Sequence, residues 1–395
     1  MQHLLSAKRD YQHKPQQAAE FLAAQAALGK QAGLVEKPSS KPNKTRAQRF
    51  DRFALKQVSA ALLRQADPTL SNRLAGCGVR PQGQAEQVTL MRVQQGETSR
   101  AYFTGLQQCG NSWACPVCSA RKAGENLQAV NAALAWARDQ GRAVNMLTLT
   151  FSHTRRDSLK ETHAKMKSAL KSFRQSGGWR ALQAQTIAAT EVTHGANGWH
   201  PHLHIITFGP SQADLEALRA EWLRSLKKQG LTCNEHGYQV QDASAAGAYI
   251  SKWGAGEELA LSGNKTARGV QSRVPFQILS DASEGCRQSA RLWVEFVTAM
   301  KGRSQLQWAQ GLREIVEAWQ AENESEAAEP EPIPEILVTW AARSENWRKA
   351  SKRVMALLEA AETGADLYAA ERGETDRERW RKQKAESQLI EGPFQ

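Results

Sequence analysis

The chain has 395 residues, 41% of them hydrophobic and 12 of them tryptophan, enough to build a sizeable core and to exclude a disordered or fibrous protein. The formal net charge is +12, and residues 314–331 contain seven glutamates and no Lys or Arg, so the remainder is more basic still. Such a surface suits a polyanion (RNA, DNA or an anionic membrane), but no apolar run approaches the ~18 residues of a membrane span and residues 1–9 lack a signal-like apolar stretch, so a cytoplasmic protein is expected.

Residues 1–57 read as a basic tail, because residues 37–46 (KPSSKPNKTR) offer little to bury. Residues 58–140 read as a cysteine-bearing subdomain. Cys109, Cys115 and Cys118 lie in CGNSWACPVC, and Cys77 stands upstream. Between them, residues 86–93 and 100–106 alternate like two arms of a hairpin with Gly96 at its turn, which would return Cys77 to the other three. Four thiolates make a closed tetrahedral site of the structural Zn²⁺ type, and Cys115-x-x-Cys118 has chelating spacing. The rival reading is a thioredoxin-like redox pair, which the two flanking cysteines disfavour. Cys233 and Cys286 have no neighbours at ligand spacing and read as free thiols.

A helix is expected over 120–138, capped by Ser119, and then alternating elements follow within 141–318. These are a strand over 144–151, a helix capped by Asp157 and running to Arg174, strands over 185–192 and 200–208, a helix opened by the Ser211-x-x-Asp214 box and ending at Gly230, a strand over 238–241, and a helix over 243–253. The order is β-α-β-β-α-β, that of a ferredoxin-like α+β core with a central antiparallel sheet.

Its third strand carries Gly198-Trp199-His200-Pro201-His202-Leu203-His204. Alternate residues of a strand share a face, so His202 and His204 project together with His200 beside them, and paired imidazoles can bind one divalent ion. With a turn centred near Asn197, Glu191 on the preceding strand falls opposite positions 203–204, and a one-residue bulge or register choice sets it beside the histidines as a third ligand. Such an ion beside a basic surface suggests hydrolysis or transfer at a phosphodiester. Tyr249 and Lys252 share one helical face and are the candidate nucleophile and its cationic helper. Residues 319–335 read as an acidic linker and 336–395 as a helical C-terminal appendage, with Leu337, Trp340, Trp347, Val354, Leu357 and Leu358 at helical spacing.

Met146-Leu147-Thr148-Leu149-Thr150, then His202-Leu203-His204, then Tyr249-x-x-Lys252 together resemble the three ordered motifs of the HUH endonucleases, most closely the rolling-circle replication initiator (Rep) proteins of plasmids and phages. The Cys77-Gly78 and Trp113-x-Cys115-Pro116-x-Cys118 cluster is similar to that group's zinc-binding part, and residues 273–279 and 293–312 resemble its downstream segments. The resemblance implies a bacterial enzyme that nicks and joins one strand of single-stranded or supercoiled origin DNA. Tyr249 would become linked to the 5′ phosphate and free a 3′ hydroxyl, His202, His204 and Glu191 would hold Mg²⁺ or Mn²⁺, and a host helicase and DNA polymerase would follow. An HUH transposase or relaxase, or a non-catalytic zinc-dependent DNA-binding regulator, are the alternatives. Ala245, one helical turn before Tyr249, offers neither a carboxylate nor a second phenol, so completing the reaction needs a second protomer, as in a homodimer, or a carboxylate from elsewhere, for which Asp242 is the candidate.

Overall fold

The computed structural model describes residues 44–96, 98–243, 272–323 and 332–373. In chain order the elements are α1 (Lys44–Leu63), α2 (Pro68–Gly76), β1 (Gln87–Gln95), β2 (Thr98–Thr104), α3 (Pro116–Asp139), β3 (Ala143–Leu149), α4 (Leu159–Arg174), α5 (Gly177–Ala181), β4 (Gln185–Gly195), β5 (Gly198–Gly209), α6 (Gln212–Glu216), α7 (Arg219–Lys227) and β6 (Tyr238–Asp242). After residue 271 come α8 (Pro275–Ser283), α9 (Arg287–Met300), β7 (Leu306–Trp308), α10 (Leu312–Asn323), β8 (Glu335–Ala341), α11 (Glu345–Ala350), α12 (Val354–Thr363) and α13 (Leu367–Arg372).

The larger sheet has the order β6-β3-β5-β4-β7, with every neighbour antiparallel. Strand alternation divides its side chains between two cores. Leu147, Leu149, Leu203, Ile205 and Val240 face α4 and α7, where Met166, Leu170, Phe173 and Trp222 close the layer. Trp222 is fully buried, and its indole N–H donates to the Gly237 carbonyl at 3.1 Å, so truncating it to alanine should cost about 3–5 kcal/mol. On the opposite face Met146, Ile187, Ile206 and Phe208 pack against Trp136 of α3 and Leu312 and Val316 of α10. β7 was not foreseen; its three residues, Leu306-Gln307-Trp308, are too short a run to show a period.

Helical caps show where local chemistry overrode the expected boundaries. Cys115, not Ser119, is the N-cap of α3, with its sulfur accepting from the Cys118 N–H and Pro116 in the first turn. Ser158, not Asp157, caps α4; Asp157 instead accepts from the Thr154 N–H and hydroxyl in the preceding turn. The Ser211/Asp214 capping box forms as expected, but the helix it opens breaks into α6 and α7.

Two boundaries need correction. Composition suggests a basic tail as far as residue 57, yet α1 begins at Lys44 because its later turns have a face to bury. Leu55, Ala60 and Leu63 pack with the cysteine segment, and the Ser59 hydroxyl donates to the Ala114 carbonyl at 2.8 Å. The C-terminal region was expected to open as a helix, whereas residues 335–341 form β8, paired with β1 in a second sheet of order β2-β1-β8. The alternation of Leu337, Thr339 and Ala341 with Ile336, Val338 and Trp340 is a strand period, and the Trp340 ring lies 6.2 Å from Phe103 of β2 and 5.6 Å from Trp347 of α11. The acidic stretch is correspondingly shorter than 319–335, since α10 continues to Asn323.

Candidate functional site

β4 and β5 are joined by Ala196 and Asn197 alone, with Gly195 paired to Gly198. Gly198 has φ +86°, and a Cβ there would stand 3.0 Å from the Arg155 Cα, so glycine is required on both counts. This short turn sets Glu191 directly opposite His202, one residue from the position estimated by counting from Asn197, and no bulge is needed.

The result is a convergent trio on the Ile206 face of the sheet. The Nε2 atoms of His202 and His204 lie 3.0 and 3.1 Å from the same oxygen, Oε2 of Glu191. Neighbouring groups turn both rings this way. Thr148 Oγ1 lies 3.1 Å from His204 Nδ1, and the His200 carbonyl oxygen is 3.3 Å from His202 Nδ1. His204 is only 6% exposed in its side chain, whereas Glu191 is 42% exposed, so one side of the trio remains open. Burial acts to raise the Glu191 carboxyl, but the hydrogen bonds from His202 and His204 and their charge hold it far below the usual range. Two imidazole nitrogens and an ionised carboxylate oxygen within 4.8 Å of one another form a donor set that a divalent cation could take up, displacing the protons between them and leaving positions for other oxygens.

His200 does not join the trio. Its Nε2 lies 3.2 Å from Thr150 Oγ1 and its Nδ1 2.6 Å from His153 Nε2, while His153 Nδ1 is 3.1 Å from the Asn197 carbonyl oxygen. Burial, then the charges of His202 and His153, push His200 down to about 4, so it is neutral at pH 7. Sequence reasoning quotes Thr148 and Thr150 only within the family-like run 146–150 and misses His153; the alternation of Thr148 on β3 with Thr150 just past its end, beside the histidines of β5, was the available signal. Tyr249 and Lys252 lie outside the described residues. The last described residue before them, Ala243, packs in the core on the trio's side of the sheet.

The cysteines also converge. Cys77 is returned by the hairpin, with the Gly78 N–H on the Gln107 carbonyl at 2.8 Å, and all four thiols are buried and free. Sγ separations are 3.4 Å for Cys77 and Cys118, 3.5 Å for Cys109 and Cys118, and 3.9 Å for Cys115 and Cys77. A tetrahedron with metal–sulfur bonds of ~2.3 Å has edges of about 3.8 Å, so this cluster fits such an ion with small adjustments. Hydrogen bonds from Cys109, Cys115 and Cys118 hold Cys77 below the ordinary thiol range. Beside them Lys56 is wholly buried, donating to the Cys77 carbonyl at 2.6 Å and lying 3.7 Å from the centre of the Phe53 ring.

Fold and sites together define an α+β protein with two clusters of metal-ligand chemistry, one of sulfur and one of nitrogen and oxygen. Residues 103–214, which carry three of the four cysteines and the whole trio, match a family described as replication protein. The chain is 25% identical to "Protein rep" of Streptomyces lividans, over 57% of this chain and 67% of that protein. It is 28% identical to the "Neomycin resistance protein" of Streptomyces cyanogenus, over 32% of this chain and 40% of that protein. No solved structure matches the chain. The segment that builds the trio is thus the one that matches the replication protein family.

Proposed function

We propose that this protein initiates DNA replication by nicking one strand of an origin, in the manner of the HUH endonucleases. The observation that carries the reading is the convergence of His202, His204 and Glu191 on one interior-strand face, inside the segment that matches replication proteins. The strand order β6-β3-β5-β4 supports it, because a βαββαβ core places its first and third strands in the middle, as β3 and β5 lie here. On this reading His202, His204 and Glu191 hold Mg²⁺ or Mn²⁺, which when bound polarises a phosphoryl oxygen. The Tyr249 oxygen attacks the scissile phosphorus, its proton leaves with the help of Lys252, the bond to the 3′ oxygen breaks, and the freed 3′ hydroxyl is the primer for a polymerase. Thr148 and the His200 carbonyl orient the two imidazoles, and the neutral His200 takes no part in binding the ion. Cys77, Cys109, Cys115 and Cys118 hold Zn²⁺ that fastens α2, the β1–β2 hairpin and α3 together.

The test is relaxation of supercoiled plasmid bearing the protein's own origin. Purified protein with Mn²⁺ or Mg²⁺ should convert it to open circles, EDTA should stop the reaction, and His202→Ala and His204→Ala should each lower the rate by orders of magnitude. Closed circles under every metal condition, or full nicking by His204→Ala, would refute the assignment.

A further inference from the structure

On the far side of the sheet from the trio, α4 presents His163, Lys167 and Arg174 at positions i, i+4 and i+11, within about 40° of one another around the helix. Lys167 Nζ donates to Gln307 Oε1 of β7 at 3.1 Å, so this stripe faces the edge strand. The loop before β7 adds Arg303, whose carbonyl oxygen accepts from the Trp113 indole N–H at 2.7 Å and is thereby pinned to the cysteine subdomain.

What sets this stripe apart is the lack of a counter-charge. Among the described residues, neither Lys167, Arg174 nor Arg303 has a carboxylate partner. Burial first, and then the positive charges of Arg174 and Arg303, push Lys167 below the usual lysine range. On the same stripe His163 is 2% exposed, and its Nδ1 has no hydrogen-bond partner. Lys167 and Arg174, partly dehydrated and close to the exposed Arg303, repel one another and destabilise the free protein, which makes an external anion the natural complement.

The shape argues for a polymer. Residues 163–174 cover about 16 Å of helix axis, longer than one phosphate and comparable with several nucleotides at ~3.4 Å each. The site also continues to the trio around the sheet edge. Thr190, next to Glu191, donates its N–H to the Gln305 carbonyl at 2.9 Å, and Arg303 stands two residues before Gln305. We infer that Lys167, Arg174 and Arg303 form a DNA-backbone track that receives the strand as it leaves the metal centre and rounds the β7 edge onto α4. The inference rests on the proposed nicking function for the direction of the strand, and its test is independent of cleavage.

Binding of a fluorescent origin oligonucleotide, single-stranded in one arm and duplex in the other, is measured in EDTA as a function of salt. Each lost phosphate contact should lower the slope of log K against log salt by about 0.7 in the single-stranded arm or about 0.9 in the duplex arm. Lys167→Gln with Arg303→Gln should remove about two contacts in at least one arm, while Lys165→Gln, on the opposite flank of α4, should leave both slopes unchanged. Arg303→Gln alone, on an exposed loop residue, covers the case in which the double variant fails to fold, and should remove about one. Unchanged slopes for a folded Arg303→Gln in both arms, or an equal loss for Lys165→Gln, would overturn the track. If wild-type protein does not nick but the slopes change as stated, the track stands and the nuclease reading falls.

Discussion

Replacing Thr148 with valine removes one hydroxyl and almost no volume, in a strand where valine is well accommodated. The group lost is the one 3.1 Å from His204 Nδ1, and it sits behind the ligand rather than at the reacting phosphate. A neutral hydrogen bond is worth about 1 kcal/mol net, and outer groups that orient metal-bound histidines typically govern 10–100-fold in affinity, or about 1.4–2.8 kcal/mol. With His204 only 5% exposed, solvent has little access to supply a substitute, so we expect Mn²⁺ affinity at least tenfold weaker. The assay is calorimetric titration of metal-free protein with Mn²⁺, paired with nicking rate against Mn²⁺ concentration. Both midpoints should move together, and Thr148→Ser should restore them. Identical midpoints for the valine variant and the wild type would show that Thr148 does not orient a ligand and that the trio is not the metal centre.

Three further outcomes are expected. Cys115→Ser should release about one equivalent of zinc and lower the thermal midpoint, since it removes a thiolate ligand while serine can still cap α3; unchanged zinc content on elemental analysis would remove this centre. Lys56→Met should weaken zinc retention about tenfold in chelator competition, because a tetrathiolate zinc centre is anionic and Lys56 is the buried cation beside it; unaltered retention would make Lys56 a packing residue only. Burial, followed by the charges of Arg303 and Lys167, pushes His163 down to about 4 from an unfolded value near 6.5, so the unfolded chain binds the proton first as pH falls. The stability from keeping this ring neutral is intact above pH 6.5 and declines towards pH 4, with a loss of about 2 kcal/mol at pH 5 that His163→Gln should abolish in urea titrations; an equal loss in the variant would refute it.

The trio was legible because a strand repeats every two residues, so His202-x-His204 announces a shared face without knowledge of the fold. Glu191 was reachable only through the hairpin, and counting from Asn197 erred by one residue because the connection is centred between Ala196 and Asn197. The four cysteines were legible through chelating spacing and the hairpin between them. What stayed hidden depended on distant partners. Lys56 looks like any surface lysine until α1 is laid on the cysteine cluster, and β8 becomes a strand through pairing with β1, some 250 residues away as counted by the Thr89 and Thr339 contact. The Lys167, Arg174 and Arg303 cluster joins residues on α4 to β7 and the loop before it, which local pattern cannot place beside the helix.

In the proposed reaction a tyrosine of this chain, directed by the trio, exchanges a DNA phosphodiester for a phosphotyrosine bond. The most direct measurement incubates purified protein with a 5′-extended, 3′-labelled single-stranded oligonucleotide spanning its origin in Mn²⁺, and resolves the products under denaturing conditions. A labelled protein–DNA adduct is expected that maps to Tyr249, is absent in Tyr249→Phe and Glu191→Gln, and persists without a cleaved acceptor strand, since Ala245 supplies no second catalytic group. Cleavage with no adduct, or an adduct that survives in Tyr249→Phe, would contradict it.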